Sequence, residues 1–508
     1  MMAAESRAHG VPLNVLLEGL MPADSLPALD VTGLSNDSRE TQPGDLFLAC
    51  QGLRVHGLSH AREALQRGAA AVLWEPDVDP ALQAVVARLS VPALPVAGLG
   101  QKLGRIADRF YGHPSRDMQV IGVTGTDGKT SVTHFIAQAL SEAGQACGLL
   151  GTLGYGVYGR LQPPTHTTPD GLRLQAELAR LRDAGVKRVA MEVSSHALHQ
   201  RRTDGTAFAT AVLTQLSRDH LDYHGSAEAY AEAKRRLFIS EGLETAVLNV
   251  DDAFGRALAH QLHAQLQLVA YGHNREQCAR AAAHWIALEE ATPREHGIAL
   301  RLDSSWGAAG FEAPVLGIFN ADNLMAALGA LLASGLSLET AVQRLAKVTT
   351  VPGRMELFSQ PGMPRVVVDY AHTPHALETA LQALRPHCKG ELICLFGAGG
   401  DRDRGKRPQM GAAAERLADR VVLTSDNPRS EPPELILEQI AAGFEQPQRA
   451  QRIPDRGQAI DEVLAMAAAD DLVLVAGKGH EDYQQLGDRR LAFSDRARVA
   501  QALRRRAE

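Results

Sequence analysis

Cysteine is scarce in this chain. Cys50, Cys147, Cys278, Cys388 and Cys394 stand singly among 508 residues, with no C-x-x-C pair. An odd, scattered set excludes a disulfide framework and a cysteine-rich zinc site, and reads as reduced thiols in a cytoplasmic protein. A basic excess is also missing: 52 Lys and Arg stand against 59 Asp and Glu, a formal charge of −7. That balance argues against a general nucleic-acid binder. Long hydrophobic runs are absent too. The most apolar stretch, "NLMAALGALLASGL", is too short and too interrupted to span a bilayer. The opening "MMAAESRAHGVPLNVLLEGL" has neither a signal-peptide pattern nor a transit-peptide composition. No internal repeat, long charge run or low-complexity segment is found. The expectation is a cytoplasmic protein without membrane insertion and without a nucleic-acid partner.

What is present is the composition of a globular chain, 45% hydrophobic with 46 glycines and 25 prolines to make its turns. Its length exceeds one ordinary hydrophobic core, so two to four domains are expected. Three blocks emerge, at 1–98, 99–348 and 349–508. In the first, "GDLFLAC" and "AAVLWE" read as strands and "SHAREALQRGA" as a helix. The second opens with the helical "QKLGRIADRFYG" and carries strand-then-helix units around "RVAMEV", "TAVLTQL" and "TAVLNV", which predict a mainly parallel sheet. The third alternates "RVVVDY", "ELICLFGAG", "RVVLTSD" and "DLVLVAGKG" with helices such as "PHALETALQAL". Short, apolar, glycine-terminated strands of this kind predict an open, doubly wound, Rossmann-like sheet. The fold class is α/β throughout.

The stretch "VIGVTGTDGKTSVTHFIAQAL" at 120–140 almost fits a phosphate-binding loop. The pattern G-x-x-x-x-G-K-[ST] requires glycine at Val123, whereas the available glycines are Gly122 and Gly125. A buried strand, "MQVIGVTG", precedes the turn, and an amphipathic helix, "SVTHFIAQALSEAG", is predicted after it. Such a turn aims backbone N–H groups and the positive helix end at one point, where an anion would sit. Lys129 adds a point charge, and the Thr130 hydroxyl is a ligand for Mg²⁺. Taken alone, "GKT" equally fits an ordinary strand-to-helix turn with a solvated lysine.

The wider string resolves the spacing. "TGTDGKTS" resembles the ATP loop of the Mur ligase family, T-G-T-[ND]-G-K-[TS], with Asp127 in place of the more frequent asparagine. That resemblance implies ATP contacts at Gly125, Thr126, Asp127, Gly128, Lys129, Thr130 and Ser131. "RVAMEVSSHAL" and "LSRDHLDYHGSAEAYAEAKRRLF" continue it almost letter for letter, the latter packing Asp219, His220, Asp222, Tyr223 and His224 into one segment. It implies Mg²⁺ at Thr130, Glu192, His220 and Lys234, the last as the carbamate formed with CO₂ (N6-carboxylysine). A carbamate turns an ammonium into an anionic oxygen ligand. Lys129, Glu192, His220 and Lys234 are the implied catalytic set. Asn320 and Asn323 in "GIFNADNLMAA", with Arg354 and Glu356 in "GRMELF", match further strings around the nucleotide and a domain junction.

The same resemblance extends over essentially the whole chain. In "SNDSRETQPGDLFLACQGLRVHG", Asn36, Ser38, Arg54, Val55 and His56 match a uridine-nucleotide region. "PPTHTTPDG" and "VSSHALHQRR" bring Thr167, Thr168, Ser194, Gln200 and Arg202 to the muramoyl-peptide positions; His166 stands where relatives have asparagine. In "TSDNPRSEPP", Asp426, Asn427, Pro428 and Arg429 match the D-N-P-R string of members that add meso-diaminopimelate rather than L-lysine. A fixed guanidinium pairs with the extra carboxylate and repels the lysine ammonium. Arg402, Gly477 and Glu481 complete that implied pocket, while His375 departs from an expected aspartate.

The implied activity is ATP-dependent amide formation through an acyl phosphate, with UDP-N-acetylmuramoyl-L-alanyl-D-glutamate, meso-diaminopimelate and ATP as partners and a monomeric chain. His220 and Asp369 are positional candidates for the base that accepts the amine proton. Two rivals are a sibling ligase, such as a folylpolyglutamate synthase or a lysine-adding enzyme, and a non-catalytic nucleotide-binding scaffold. The uridine-region string and "DNPR" oppose the first. Intact Lys129, Glu192, His220 and Lys234 oppose the second.

Overall fold

Short apolar runs alternating with helical segments become parallel strands joined by crossover helices, the connection that a parallel sheet requires. The computed structural model describes residues 10–507 apart from 53–54, 77, 142–144 and 218, so Arg54 lies outside the described residues. One compact unit runs through Tyr271 and adds Gln277–Trp285 and Gly329–Gly335; the other takes Gly272–Glu276, Ile286–Leu328 and the chain from Leu336 onward. Among the described residues, no helix is long and apolar enough to cross a membrane.

In the first unit, β1 (Gly33–Ser35), β2 (Asp45–Ala49), β3 (Ala71–Trp74) and β4 (Ala93–Pro95) form a parallel sheet in that order. Every residue of β2 and β3 is buried. α1 (Ala61–Gln66) is the helix expected in "SHAREALQRGA". α2 (Leu103–Phe110) sends Leu103, Ile106, Ala107 and Phe110 into one core with Leu46, Leu48 and Leu73. That i, i+3, i+4, i+7 spacing is one helical stripe.

The nucleotide-loop sheet follows. β5 (Gln119–Thr124) leads into α3 (Lys129–Leu140), and β6 (Cys147–Gly151), β7 (Gly154–Val157) and β8 (Arg160–Gln162) form a meander. After α4 (Gly171–Asp183) come β9 (Arg188–Glu192), α5 (Ser195–His199) and β10 (Thr210–Leu213). α6 (Leu221–His224), α7 (Ala227–Phe238), β11 (Thr245–Asn249) and β12 (Gln267–Gly272) complete it. The strand order is β8-β7-β6-β9-β5-β10-β11-β12, parallel from β6 onward. In register, Glu192 lies opposite Val123 and Leu213 opposite Thr124. The carboxyl ends of β9, β5 and β10 therefore open on one edge, where parallel sheets collect ligands.

α3 corrects the expectation of an amphipathic helix. Val132 to Ala137, Ala139 and Leu140 are all buried, because the helix packs against β5, β6 and β9 and is covered on its other sides too. His134 is caught inside it, neither ring nitrogen having a hydrogen-bond partner among the described residues, its ring edge-on to Tyr158 at 5.9 Å. Burial pushes this imidazole down from 6.5 to about 4. The folded state therefore binds fewer protons than the unfolded one between those values, and the stability present above pH 6.5 is lost as pH falls towards 4. His134→Leu is expected to remove up to about 3 kcal/mol of that acid sensitivity. Urea melts at pH 7.5 and pH 5 check this; parallel pH slopes for parent and variant would refute it.

In the second unit, β13 (His284–Arg294), β14 (Gly297–Ser304) and β15 (Ala309–Ala313) pair antiparallel, and α8 (Asn320–Ala333) follows. β16 (Glu356–Phe358), β17 (Arg365–Asp369), α9 (Pro374–Leu384) and β18 (Leu392–Phe396) begin the last sheet. It continues through α10 (Lys406–Leu417), β19 (Arg420–Leu423), α11 (Pro433–Ala441) and β20 (Gln451–Arg452). α12 (Arg456–Met466), β21 (Leu472–Ala476), the hairpin β22 (Tyr483–Leu486) and β23 (Arg489–Ala492), and α13 (Asp495–Ala507) end the chain. The order is β16-β17-β21-β18-β19-β20, with only β16 antiparallel to its neighbour. Period-two alternation sends Val367, Cys394 and Leu474 to a core under α9, α10 and α11. Val366, Val368, Ile393 and Val473 face the other core, under α12 and α13. Helices on both faces make this the doubly wound, Rossmann-like sheet expected.

Candidate active site

The loop after β5 is shaped by its glycines. Gly125 has φ +148°, and a Cβ there would lie 1.8 Å from Thr214 Oγ1. Gly128 caps α3 in the left-handed region, φ +81°. The loop is tied down by Thr126 N–H to Gln215 O at 2.8 Å, and by Thr214 Oγ1 to Asp127 O at 2.6 Å. Gln215 Nε2 also donates to Asp127 Oδ2 at 2.8 Å. Lys129 Nζ arches back to the carbonyls of Gly125, at 2.9 Å, and Thr126, at 2.8 Å. Backbone N–H groups, a helix N-terminus and an ammonium thus converge, as binding of a polyphosphate requires.

Glu192 reaches this loop from the end of β9. It is 1% exposed, and accepts from Thr130 Oγ1 at 2.9 Å, Thr152 N–H at 2.8 Å and Thr152 Oγ1 at 3.1 Å. Burial raises its carboxyl pKa, against the opposing effect of the Thr152 N–H and Lys129. A carboxylate sharing a hydrogen bond with the loop threonine is a hard-oxygen donor pair, and it fits Mg²⁺, which takes few protein ligands and fills its shell with phosphate and water. Among the described residues, no group of three or more His, Cys, Asp or Glu side chains is placed to hold a metal. His220 sits half-exposed with φ +51°, its Nε2 3.2 Å from Asp219 Oδ2 and its ring 4.8 Å from His196.

Lys234, on α7, is 1% exposed. Its Nζ donates to Gly125 O at 2.7 Å, the same carbonyl that Lys129 holds, and lies 4.6 Å from the centre of the Tyr230 ring. Burial, aided by Lys129, pushes its pKa from 10.5 down to about 6. The neutral amine so favoured is the form that adds to CO₂, and an anion on Lys234 would face Lys129 as a counter-charge. The residues fit a carbamate.

Beside Glu192 lies a connected polar chain. Thr168 Oγ1 donates to Glu192 O at 2.9 Å and accepts Ser194 N–H at 3.0 Å. Arg202 donates to Thr168 O at 3.0 Å and Gln200 Oε1 at 2.9 Å, and Gln200 reaches Tyr223 OH at 2.8 Å. Thr167 Oγ1 accepts from Thr152 at 3.2 Å. These bonds string Thr168, Ser194, Arg202 and Gln200 together from the Glu192 backbone carbonyl, and Thr167 reaches the Glu192 carboxylate only by way of Thr152. His166 takes part through its backbone, its N–H donating to Tyr155 OH at 3.0 Å. In the first block Asn36 and Val55 are exposed, whereas Ser38 donates to Glu63 Oε2 at 2.7 Å. His56 is buried, its Nδ1 accepting Leu58 N–H at 3.1 Å.

The second unit assembles its own cluster at the carboxyl ends of β18, β19 and β21. Asn427 Nδ2 donates to Glu481 Oε2 at 2.9 Å, and its Oδ1 accepts Gln485 N–H at 2.9 Å. Arg429, φ +51°, donates from Nη1 to Gly400 O at 2.7 Å. Gly477 has φ +115°, where a Cβ would meet Asp426 Oδ2 at 2.6 Å. Pro428 is buried and Arg402 exposed on the facing loop. Asn320 and Asn323 open α8 and bond each other at 2.8 Å. Arg354 lies 4.7 Å over the Tyr370 ring, and Glu356 accepts from Arg496 at 2.8 Å. Asp369 accepts Met355 N–H at 2.7 Å and Ala371 N–H at 2.8 Å, one on each oxygen, which anchors the junction. His375 is exposed on the first turn of α9.

Comparison with known protein families matches the chain in three stretches. Residues 30–111 match the Mur ligase family catalytic domain, 123–331 the Mur ligase middle domain, and 353–479 the Mur ligase glutamate ligase domain. Over 489 residues the chain is 52% identical to the UDP-N-acetylmuramoyl-L-alanyl-D-glutamate–2,6-diaminopimelate ligase of Alkalilimnicola ehrlichii, covering 95% of this chain and 96% of that one. The chain belongs to the Mur ligase family. Its Coxiella burnetii relative of the same name is 47% identical, with 97% and 100% covered. A solved structure bearing that enzyme name superposes with TM-score 0.74 at 35% identity, covering 98% of this chain and 100% of that one.

Several residues of this Mur ligase carry its geometry without having been signalled by the sequence. Thr152 supplies two of the three bonds to Glu192. Lys478 is fully buried, donating to Glu481 Oε2 at 2.9 Å and Asn427 Oδ1 at 3.2 Å. Arg456 and Asp495, both 0% exposed, form a bidentate pair at 2.7 Å that also grips Ser425 O and Ala476 O.

Proposed function

We propose that this Mur ligase joins meso-diaminopimelate to UDP-N-acetylmuramoyl-L-alanyl-D-glutamate at the expense of ATP, in peptidoglycan precursor synthesis. One observation carries the choice of amino acid: Arg429 is fixed on Gly400 O while Glu481 is fixed by Asn427 and Lys478, giving a guanidinium and a carboxylate in one cluster. A centre bearing both a carboxylate and an ammonium, as diaminopimelate has at its far end, complements that pair. The three blocks at 1–98, 99–348 and 349–508 serve as domains for the uridine precursor, ATP and the amino acid respectively. Asn36, Ser38, Arg54, Val55 and His56 face the uridine nucleotide in this assignment, and the chain of Thr167, Thr168, Ser194, Gln200 and Arg202 holds the muramoyl peptide. The site of action is the cytoplasm and the working form a monomer.

In the reaction, the D-glutamyl side-chain carboxylate attacks the γ-phosphorus of ATP, forming an acyl phosphate and releasing ADP. Lys129 and the N–H groups of 125–130 neutralise charge on the transferring phosphoryl group. Thr130, Glu192, His220 and a carbamylated Lys234 would hold Mg²⁺, which would supply further neutralisation of that charge. Asn320, Asn323 and Arg354 serve the nucleotide. Arg429, Arg402 and Glu481 orient diaminopimelate so that its free amine attacks the acyl carbon, and phosphate leaves.

The test is phosphate release with product mass, using Mg-ATP and the UDP-dipeptide precursor, with meso-diaminopimelate and L-lysine supplied separately. Ligation of diaminopimelate alone is expected. Efficient lysine ligation would overturn the specificity, and no release with either would overturn the ligase assignment.

A further inference from the structure

Arg407, at the start of α10, is 0% exposed, an unusual place for a cation. Its Nη1 donates to Gln439 Oε1 at 2.6 Å and Glu431 Oε2 at 3.0 Å; its Nη2 donates to Glu431 Oε1 at 2.9 Å and Gly399 O at 3.0 Å. Glu431 also accepts Asp401 N–H at 2.7 Å, while its own N–H donates to Pro428 O at 3.0 Å. Ser430 Oγ reaches Asp401 Oδ1 at 2.6 Å, and Gly400 N–H reaches Asn427 O at 2.9 Å. The loop after β18 and the loop after β19 are thus sewn together around one buried ion pair. The Arg407 hydrogen bonds hold the Glu431 carboxyl down at about 2, so the pair stays ionised across the working range.

Arg429 leans on that seam through its side chain, while its backbone pairs with the hairpin, its N–H donating to Gln485 O at 3.1 Å and its O accepting Gly487 N–H at 2.7 Å. Its backbone is left-handed, φ +51°, as is that of Asp401, φ +53°, conformations that cost energy in non-glycine residues unless their surroundings impose them. Its guanidinium rests on Gly400, and a Cβ on Gly399 would stand 2.9 Å from Arg429 Nη1 and 3.5 Å from Arg402 Cγ. Half-buried Arg429 and exposed Arg402 therefore converge on the short stretch that Arg407 and Glu431 pin. We propose that Arg407 and Glu431 are positioning residues for amino-acid selectivity, holding Arg429 where it meets the second carboxylate of the incoming diamino acid. This role rests on the diaminopimelate reading above.

Glu431→Gln keeps the shape and the acceptor for Asp401 but leaves Arg407 without its counter-charge. In the full-length chain it is expected to raise KM for meso-diaminopimelate about tenfold. KM for ATP and for the UDP-dipeptide should stay within about twofold, and kcat/KM for L-lysine should not fall, so the diaminopimelate-to-lysine ratio drops about tenfold. Adding Glu431→Gln to Arg429→Ala should then change the ratio by less than about twofold, since both act through one guanidinium. A merely structural role predicts instead that both amino acids and ATP suffer alike. Arg407→Lys, which keeps a charge for Glu431 but loses the fork to Gly399 and Gln439, provides the same test if Glu431→Gln does not fold. An unchanged ratio, or full additivity with Arg429→Ala, would overturn the proposal. A parent chain that does not ligate diaminopimelate would overturn the functional reading beneath it.

Discussion

Lys234→Met is expected to give a chain that melts higher than the bicarbonate-free parent and turns over roughly 10²–10³-fold more slowly. The two effects share one cause. Lys234 and Lys129 donate to the same Gly125 carbonyl, at 2.7 Å and 2.9 Å, and Lys234 is buried. With its pKa lowered from 10.5 to about 6, the folded state binds fewer protons than the unfolded one throughout that window. The resulting penalty is absent above pH 10.5, grows as pH falls, and reaches about 3 kcal/mol at pH 8. Methionine has similar length, no charge to desolvate, and an unbranched chain that adapts to the slot. The gain in stability should therefore be larger at pH 7 than at pH 9. Catalysis loses the anionic oxygen that a carbamate would contribute. Added bicarbonate is expected to raise turnover of the parent and leave the variant unchanged. Melting curves at the two pH values and phosphate release with and without bicarbonate check both halves. A variant retaining a tenth of parental turnover would refute the catalytic half, and one melting lower at pH 7 the other.

Glu192→Gln should cost a comparable factor, roughly 10²–10³ in turnover, with the fold intact. The amide can present its oxygen to the Thr152 N–H, which has no alternative role, and its NH₂ to the hydroxyls of Thr130 and Thr152, which accept as readily as they donate. Only the charge is lost. Because burial already raises the Glu192 carboxyl pKa, a neutral isostere relieves a desolvation cost, and thermal stability should hold or rise. The Mg²⁺ concentration for half-maximal turnover should increase, while KM for diaminopimelate, whose cluster lies in the other unit, stays near that of the parent. A drop in turnover with no change in Mg²⁺ dependence would show that Glu192 acts through its hydrogen bonds rather than as a cation ligand.

The parts of the site legible in the sequence are those whose chemistry is contiguous. Gly125 to Ser131 occupy one turn, so the string itself displays the loop, and the strand and helix on either side follow from local apolar pattern. A strand ending in Glu192 points to a carboxylate beside the phosphate loop, and the register that sets Glu192 against Val123 brings it to Thr130. Sequence pattern misjudged α3, because a strand-flanking helix in the middle of a large unit has no solvent face to mark with polar residues, and its one histidine hides in the core. Asp369 is a candidate base only by its position in a polar string. Each of its oxygens accepts one backbone N–H, from Met355 and from Ala371, a tie to its own junction that the string does not display. Arg407 and Glu431 lie 24 residues apart, and Arg456 and Asp495 lie 39 apart. Neither pair has a periodicity to betray it, because the contacts arise from which loops the strand order places side by side.

The seam between the loops after β18 and β19 bears on how such an enzyme could change its diet over generations. Both loops spring from neighbouring parallel strands and are joined to each other through Arg407–Glu431, Asp401 N–H to Glu431 and Ser430 to Asp401, while the second is also tied to the hairpin at Gln484 and Gln485. They form a cassette with two inputs from the gene. Transplanting the D-N-P-R stretch alone into a lysine-adding sibling would import the arginine without its fastening. Carrying residues 399–407 together with 426–431 moves the reader and its clasp as one inheritance, while the nucleotide machinery, encoded in a separate stretch, is left untouched.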